Sequence, residues 1–369
     1  WEVQEPDNPW SNIGYWGDHQ VIYLAKLLEL RARLDRKGLL ASLDSPSFSS
    51  GNVPYRIRSY AEIVKNPRST IVFDSKLHNA IMKLADETGT DAKLVRNAKG
   101  EVSLVSMTAK FLSILCAKMA NLVPGGGIWL NTQRPEWNDA NNALAGYGLS
   151  MVTLCYIRRF LVFLLDLYKN APEDAFSIPA ETADFFLGLA ARYGETSPSD
   201  LAKPTARRAF VDGCGLLFEK QRESLYANGY SAETRRVSRA ALVAGLEAFL
   251  KHAEATIASN RRDDGLYHAY NTMEILPDGG MEIHRLNEML EGQVAVISSG
   301  LLKSDEVLSL CKSLKEGPLF RRDQYSYILY PNRELPHFLE KNNVSAADAE
   351  RIPLLAKMLG RDDVTLVSR

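Results

Sequence analysis

The chain has 369 residues, 46% of them hydrophobic and 24% charged, a composition of folded globular proteins rather than disordered or fibrous ones. Its 44 basic side chains against 45 acidic ones leave a formal charge of −1, so no global cationic field draws it to nucleic acid or to an anionic membrane. The longest apolar run, near Phe160 to Tyr168, is broken by Asp166 and falls short of the roughly 20 residues a membrane-spanning helix needs.

The opening stretch, Trp1 to His19, has no basic region followed by an apolar one, so no targeting signal is visible in it, and the compartment, cytoplasmic or periplasmic, is left open. From Gly17 to Leu39, Val21, Leu24, Leu27, Leu28 and Leu34 recur at helical spacing. The Ser-, Pro- and Gly-rich stretch from Ser42 to Tyr55 then reads as a loop. Helical periodicity returns over Ser75–Glu87 and Val105–Leu122, and the turn Pro124-Gly125-Gly126-Gly127 follows.

Further helices are predicted over Ser150–Tyr168, Pro179–Tyr193, Lys203–Asn228 and Ser231–Ala258. Around a Pro-Asp-Gly-Gly turn after Asp263 the chain gathers aromatics, histidines and acids. Helices resume at Leu290–Ser298 and Ser304–Leu314, and a short extended stretch spans Tyr325–Tyr330. A last helix is predicted near Ser345–Leu359.

Strand-like runs are few, and no repeat of 34 to 47 residues supports a solenoid. The expected fold is therefore all-α: an (α/α)6 toroid of helical hairpins, or a large part of one. In such a ring each helix buries an apolar stripe and the loops converge on one mouth. One catalytic-type domain over residues 1–369 is expected, with 321–369 as a C-terminal extension. The cysteines Cys116, Cys155, Cys214 and Cys311 are widely spaced and match no structural metal motif, and buried free thiols are the expected state of three of them.

Three polar clusters carry the chemistry. The densest is Arg134-Pro135-Glu136-Trp137-Asn138-Asp139, with Asn142 beyond it. Trp137 offers a plane on which a sugar face can stack, and Arg134, Asn138 and Asn142 offer fixed hydrogen-bonding groups for its hydroxyls. Glu136 has the chemistry of a general acid if apolar neighbours keep it protonated, although Asn138 and Asp139 are also ordinary helix caps. The second cluster, Trp16-Gly17-Asp18-His19, pairs a stacking plate with a carboxylate that could equally cap the next helix.

In the third cluster, Tyr270 belongs to an aromatic group, while Glu282 and His284 alternate, so an extended backbone points both to one side. Glu282 and His284 with no identified third ligand match no metal motif, so no metal is expected. The Gly125–Gly127 run lacks the Lys and hydroxyl residue of a phosphate loop, and no dinucleotide fingerprint follows a strand.

Glu136-Trp137-Asn138-Asp139, followed by Asn142, Gly146 and Gly148, resembles the Asp-Trp-Asn-Asp catalytic segment of the cellobiose and chitobiose phosphorylases, a glycoside hydrolase family 94-like group related to six-hairpin glycosidases. Trp16-Gly17-Asp18-His19 is similar to that family's sugar-binding segment. Gln293, Ala295, Val296, Ser299 and Gly300 resemble its Gln-Ser-Trp-Ala-Val-Leu-Ser-Gly run. The resemblance implies an inverting enzyme acting on an oligosaccharide or disaccharide, with Glu136 as general acid in place of the family's aspartate.

Residue chemistry and the resemblance together give the expected sugar contacts as Trp16, Asp18, Arg134, Trp137, Asn138, Asp139, Tyr270, Glu282, His284 and Gln293. The family's later Gly-Gly and Thr-His phosphate-binding segment is not found in these residues, which points to a piece of a larger protein or to a branch that uses water. Hydrolysis is accordingly placed ahead of phosphorolysis, in which inorganic phosphate would be a co-substrate. A non-catalytic sugar-binding protein is the third reading. No cofactor and no nucleic-acid partner are expected, and the oligomeric state is left open.

Overall fold

The computed structural model describes residues 19–97, 99–131, 144–332 and 334–367, with the side chains of residues 19, 20 and 339 excepted. Two compact units result, 1–330 and 331–369.

In chain order the first unit contains α1 (His19–Ala41), β1 (Pro46–Phe48), β2 (Tyr55–Ile57), α2 (Tyr60–Lys65), β3 (Ile71–Phe73), α3 (Ser75–Thr88) and β4 (Val105–Ser106). It continues with α4 (Met107–Met119), β5 (Leu122–Val123), β6 (Gly127–Trp129), β7 (Gly148–Ser150), α5 (Met151–Lys169), β8 (Ala175–Pro179), α6 (Ala180–Glu195) and α7 (Pro204–Asn228). Then come β9 (Thr234–Ser238), α8 (Arg239–Ala258), β10 (Tyr270–Ile275), β11 (Met281–Arg285), α9 (Leu290–Ser298), α10 (Ser304–Glu316), β12 (Phe320–Arg321) and β13 (Ser326–Tyr327). The second unit holds three short helices, α11 (Phe338–Lys341), α12 (Ala346–Arg351) and α13 (Pro353–Leu359).

The expectation of an all-α toroid is corrected by the sheets. The fold is mixed, with helices and a five-stranded antiparallel sheet of order β11-β10-β7-β6-β5, besides smaller two-stranded pairs such as β8 with β9. Most of these strands are two to five residues long, too short for an alternating pattern to stand out in sequence. The helix expected from Ser231 starts only at Arg239, because Thr234–Ser238 pairs with Ala175–Pro179. The helix expected over Ser345–Leu359 is divided at Pro353, whose ring opens a second helix.

One local device recurs. Strands β4, β7 and β9 each end in a serine that caps the next helix: Ser106 accepts from the Ala109 N–H (3.2 Å), Ser150 from Thr153 (3.0 Å) and Ser238 from Ala241 (3.1 Å). Each hydroxyl satisfies an N–H that has no partner within the helix, a contribution of about 1 kcal/mol.

Helix α5 lies at the centre. Leu154, Ile157, Phe160, Leu161, Leu164 and Leu167 along it are inaccessible to solvent, packed with residues of α1, α4, α6 and α8. Ion pairs set the helix directions. Helix α1 is broken at Asp35 (φ −153°, ψ 75°); Arg159 grips both oxygens of Glu29 before the break at 2.6 Å and Arg36 meets Asp166 after it at 2.8 Å, so residue number rises together along α1 and α5 and the two run in the same direction. Arg158 pairs with Glu254 and Lys169 with Glu247, so α8 runs the opposite way. The end of α9 meets α5 where Arg158 and Arg159 donate to the carbonyls of Ser299 (2.8 Å) and Ser298 (3.3 Å). Its beginning packs beside Ala269, whose carbonyl accepts from the Met151 N–H at 3.0 Å.

The starts of α1, α5 and α9 and the end of α8 thus share one end of the bundle, the end at which β7 and β10 enter. Among the described residues no helix is long and apolar enough to cross a membrane.

Candidate functional site

Trp16 and Asp18 lie outside the described residues, as do Arg134, Glu136, Trp137, Asn138 and Asp139. What the structure describes is the helix that follows Asp18 and the framework on both sides of the Glu136 segment.

The segment carrying Glu136 joins two neighbouring strands. Strand β6 leads into it and β7 follows it, with Ile128 opposite Ser150 and Trp129 opposite Leu149. Beyond the paired residues the base is closed by Leu130 N–H to the Gly148 carbonyl (2.9 Å) and Gly146 N–H to the Leu130 carbonyl (2.7 Å). The Trp129 indole N–H also donates to the Gly146 carbonyl, at 2.9 Å. Asn131 then donates to Asn121 Oδ1 at 2.6 Å.

Gly146 has φ +97°, and a Cβ there would stand 2.7 Å from the Pro67 carbonyl oxygen, so both backbone conformation and space demand glycine. Arg68, next to Pro67, stacks its guanidinium over the Tyr147 ring at 5.3 Å. These contacts fasten the loop before β3 to the base of the candidate catalytic segment.

Tyr270 is opposite Ser150 in the sheet and buried; it clusters with Ala269 and Met289, against which Leu144, Val152 and Leu286 pack. Leu144, the first described residue after the Glu136 segment, thus packs beside Tyr270 of the third cluster. Gln293 is fully buried, and its amide is engaged by backbone: Oε1 accepts from the Tyr267 N–H (2.8 Å), and Nε2 donates to the carbonyls of Tyr267 (2.7 Å) and Met289 (2.9 Å). The described role of Gln293 is to hold the strand entry that leads to Tyr270.

Glu282 and His284 are exposed on the edge strand β11, on one side of it. His284 Nε2 lies 3.2 Å from Glu274 Oε2 on β10, and Glu274 stands directly opposite Glu282. Glu282 also acts on Arg207: burial draws the pKa of that guanidinium down, and the Glu282 carboxylate draws it back up.

Sequence reasoning missed the polar network beneath this sheet. Asn260 and Asn271 are wholly buried. Asn271 donates to the Gly126 carbonyl (2.7 Å) and to Asn260 Oδ1 (2.8 Å), and Asn260 donates to the carbonyls of Gly125 (3.0 Å) and Thr256 (2.7 Å). Arg285 also donates to Asn260 Oδ1, while Arg207 donates to the carbonyls of Pro124 (2.9 Å) and Met281 (2.7 Å). Burial, and then the neighbouring Arg207, hold the Arg285 pKa down. The triple-glycine run is thereby locked to the end of α8; the run itself was the one sequence signal of a backbone needing outside partners.

A groove of about 740 Å³ elsewhere, between α6 and α7, is lined by Arg192, Phe210, Gly213 and Leu217 among others and holds none of the expected site residues. Cys116, Cys155 and Cys214 are buried free thiols and Cys311 is exposed and free; burial pushes Cys155 and Cys214 up to about 12. Comparison of the chain with protein-family models finds no match, and comparison with curated proteins finds none either.

Proposed function

We propose that this chain is the catalytic part of a carbohydrate-active enzyme that cleaves a glycosidic bond in an oligosaccharide with inversion, at the end of the bundle where α1, α5 and α9 begin. The observation that carries the reading is the parallel pairing of α1 with α5. Glu29 pairs with Arg159 and Arg36, just past the break at Asp35, pairs with Asp166, so α1 begins at the end of the bundle where α5 begins. The start of α1, which follows Asp18 in the sequence, and the base of the Glu136 segment, far apart in sequence, therefore adjoin the same end.

In this proposal Glu136 is protonated before reaction and delivers its proton to the oxygen linking two sugars. The sugar ring stacks on Trp137 or Trp16, and Asp18, Arg134, Asn138 and Asp139 grip hydroxyls. Water then attacks the anomeric carbon from the opposite face, with a carboxylate accepting its proton. Glu282 is the carboxylate proposed for that role, and inversion sets its distance from Glu136 at roughly 6.5–9.5 Å. If inorganic phosphate attacks instead, no base is needed.

The test is product analysis on β-linked disaccharides and short glucans with and without phosphate, using the parent chain and Glu136→Gln. Free sugar in both conditions supports hydrolysis, and sugar 1-phosphate formed only with phosphate supports phosphorolysis. Loss of about a hundredfold or more in Glu136→Gln is expected, in line with the worth of a general acid. Full activity in that variant would remove Glu136 as the acid, and binding without turnover would overturn the enzymatic reading.

A further inference from the structure

Helix α1 is apolar on two opposite faces. Val21, Ala25 and Leu28 point into the core, whereas Leu27, Leu30 and Leu34 are 64%, 52% and 76% exposed. At 100° per residue the exposed row lies roughly 160° around the helix from the buried one. Single exposed leucines are ordinary, but a continuous row of them marks a surface that meets another molecule. The steps of three and four residues from Leu27 through Leu30 to Leu34 are the a/d spacing of a helix that packs along a second helix.

Charge selects the partner. Exposed Lys26 and Arg33 border one side of the row, and neither pairs with a carboxylate among the described residues. Arg31 borders the other side, tied to Asp35 at 2.8 Å. Glu29, the remaining acid on this helix, is turned inward to Arg159. A second copy of α1 laid against the row would set cations against cations, which costs specificity at flanking positions.

We propose that the outer face of α1 is a docking strip for an amphipathic helix that carries leucine-type residues at heptad spacing and acidic residues at its flanks. The strip rests on the α1 surface alone and is independent of Glu136 chemistry. Leucines supply the apolar contact, and Lys26 and Arg33 orient the partner and reject a basic one.

The probe is a dye-labelled four-heptad peptide with leucine at a and d and glutamate at e and g, titrated with the 369-residue chain and read by fluorescence polarisation. Saturable binding is expected, with about a tenfold loss in Leu27→Ser/Leu30→Ser and a comparable loss in Lys26→Glu/Arg33→Glu. Both pairs are exposed, so far-UV circular dichroism and Tm should match the parent. Absence of saturable binding overturns the proposal, as does equal binding of the same peptide with lysine at e and g. Sedimentation showing a dimer that Leu27→Ser/Leu30→Ser abolishes overturns it too, by giving the strip to a second copy.

Discussion

Replacing Gln293 by leucine isolates one structural claim about the candidate site. The side chain is fully buried and supplies both the acceptor for the Tyr267 N–H and a donor for the Tyr267 carbonyl, taking the part of a missing strand. Gln293→Leu keeps the approximate volume but leaves those two backbone groups buried without partners. Each such group costs about 1–3 kcal/mol, so the loss should come to about 2–6 kcal/mol, less a small gain from the more apolar side chain. Urea unfolding followed by circular dichroism measures the loss, and hydrogen exchange locates it, since the Tyr267 amide should exchange faster than amides in α5.

A second substitution sharpens the reasoning. Gln293→Glu retains the acceptor for Tyr267 but turns a carboxylate oxygen toward the carbonyls of Tyr267 and Met289. Its deficit should shrink as the pH falls, because the protonated acid regains a donor and its pKa in the folded state is raised above the unfolded value of about 4.3. A Gln293→Leu protein within about 0.5 kcal/mol of the parent, with unchanged exchange at Tyr267, would refute the account, since loss of a buried pairing exceeds that.

Two other outcomes follow from the structure. His252 is buried, with Nε2 at 3.0 Å from the carbonyls of both Tyr193 and Thr196, and burial lowers its pKa; burial lowers that of His268 as well. The unfolded chain takes up protons at these histidines below about pH 6.5 before the folded chain does, so Tm should fall as pH drops below that point, and less steeply in His252→Gln. Gly127 has φ +123°, and a Cβ there would meet the Ser150 carbonyl carbon and oxygen at 2.8 Å. Gly127→Ala should therefore lower stability by about 1–3 kcal/mol or more, whereas wild-type stability in that variant would show that the junction of β6 and β7 is not rigid.

Much of the helical framework is legible in the residues alone. The apolar periodicity over Ser150–Tyr168 and Lys203–Asn228 corresponds to α5 and α7 within a residue or two, because a helix long enough to repeat its stripe several times declares itself locally. The alternation of Glu282 and His284 likewise becomes an extended strand with both side chains on one side. The clusters around Asp18, Glu136 and Tyr270 stand out by residue type alone, and those around Asp18 and Glu136 lie outside the described residues.

Tertiary structure decided the rest. Strands as short as Leu122–Val123 and Gly127–Trp129 carry too few residues for alternation to show, and they exist because distant partners hydrogen-bond to them. That is why an all-helical ring was expected and a mixed fold is formed. The buried status of Gln293 and the linking of Asn260 and Asn271 to the triple glycine depend on neighbours remote in sequence, as does the parallel pairing of α1 with α5. Local periodicity reports which face of a helix is apolar; only packing in three dimensions selects the element that covers it, the direction in which that element runs, and the end at which the loops meet.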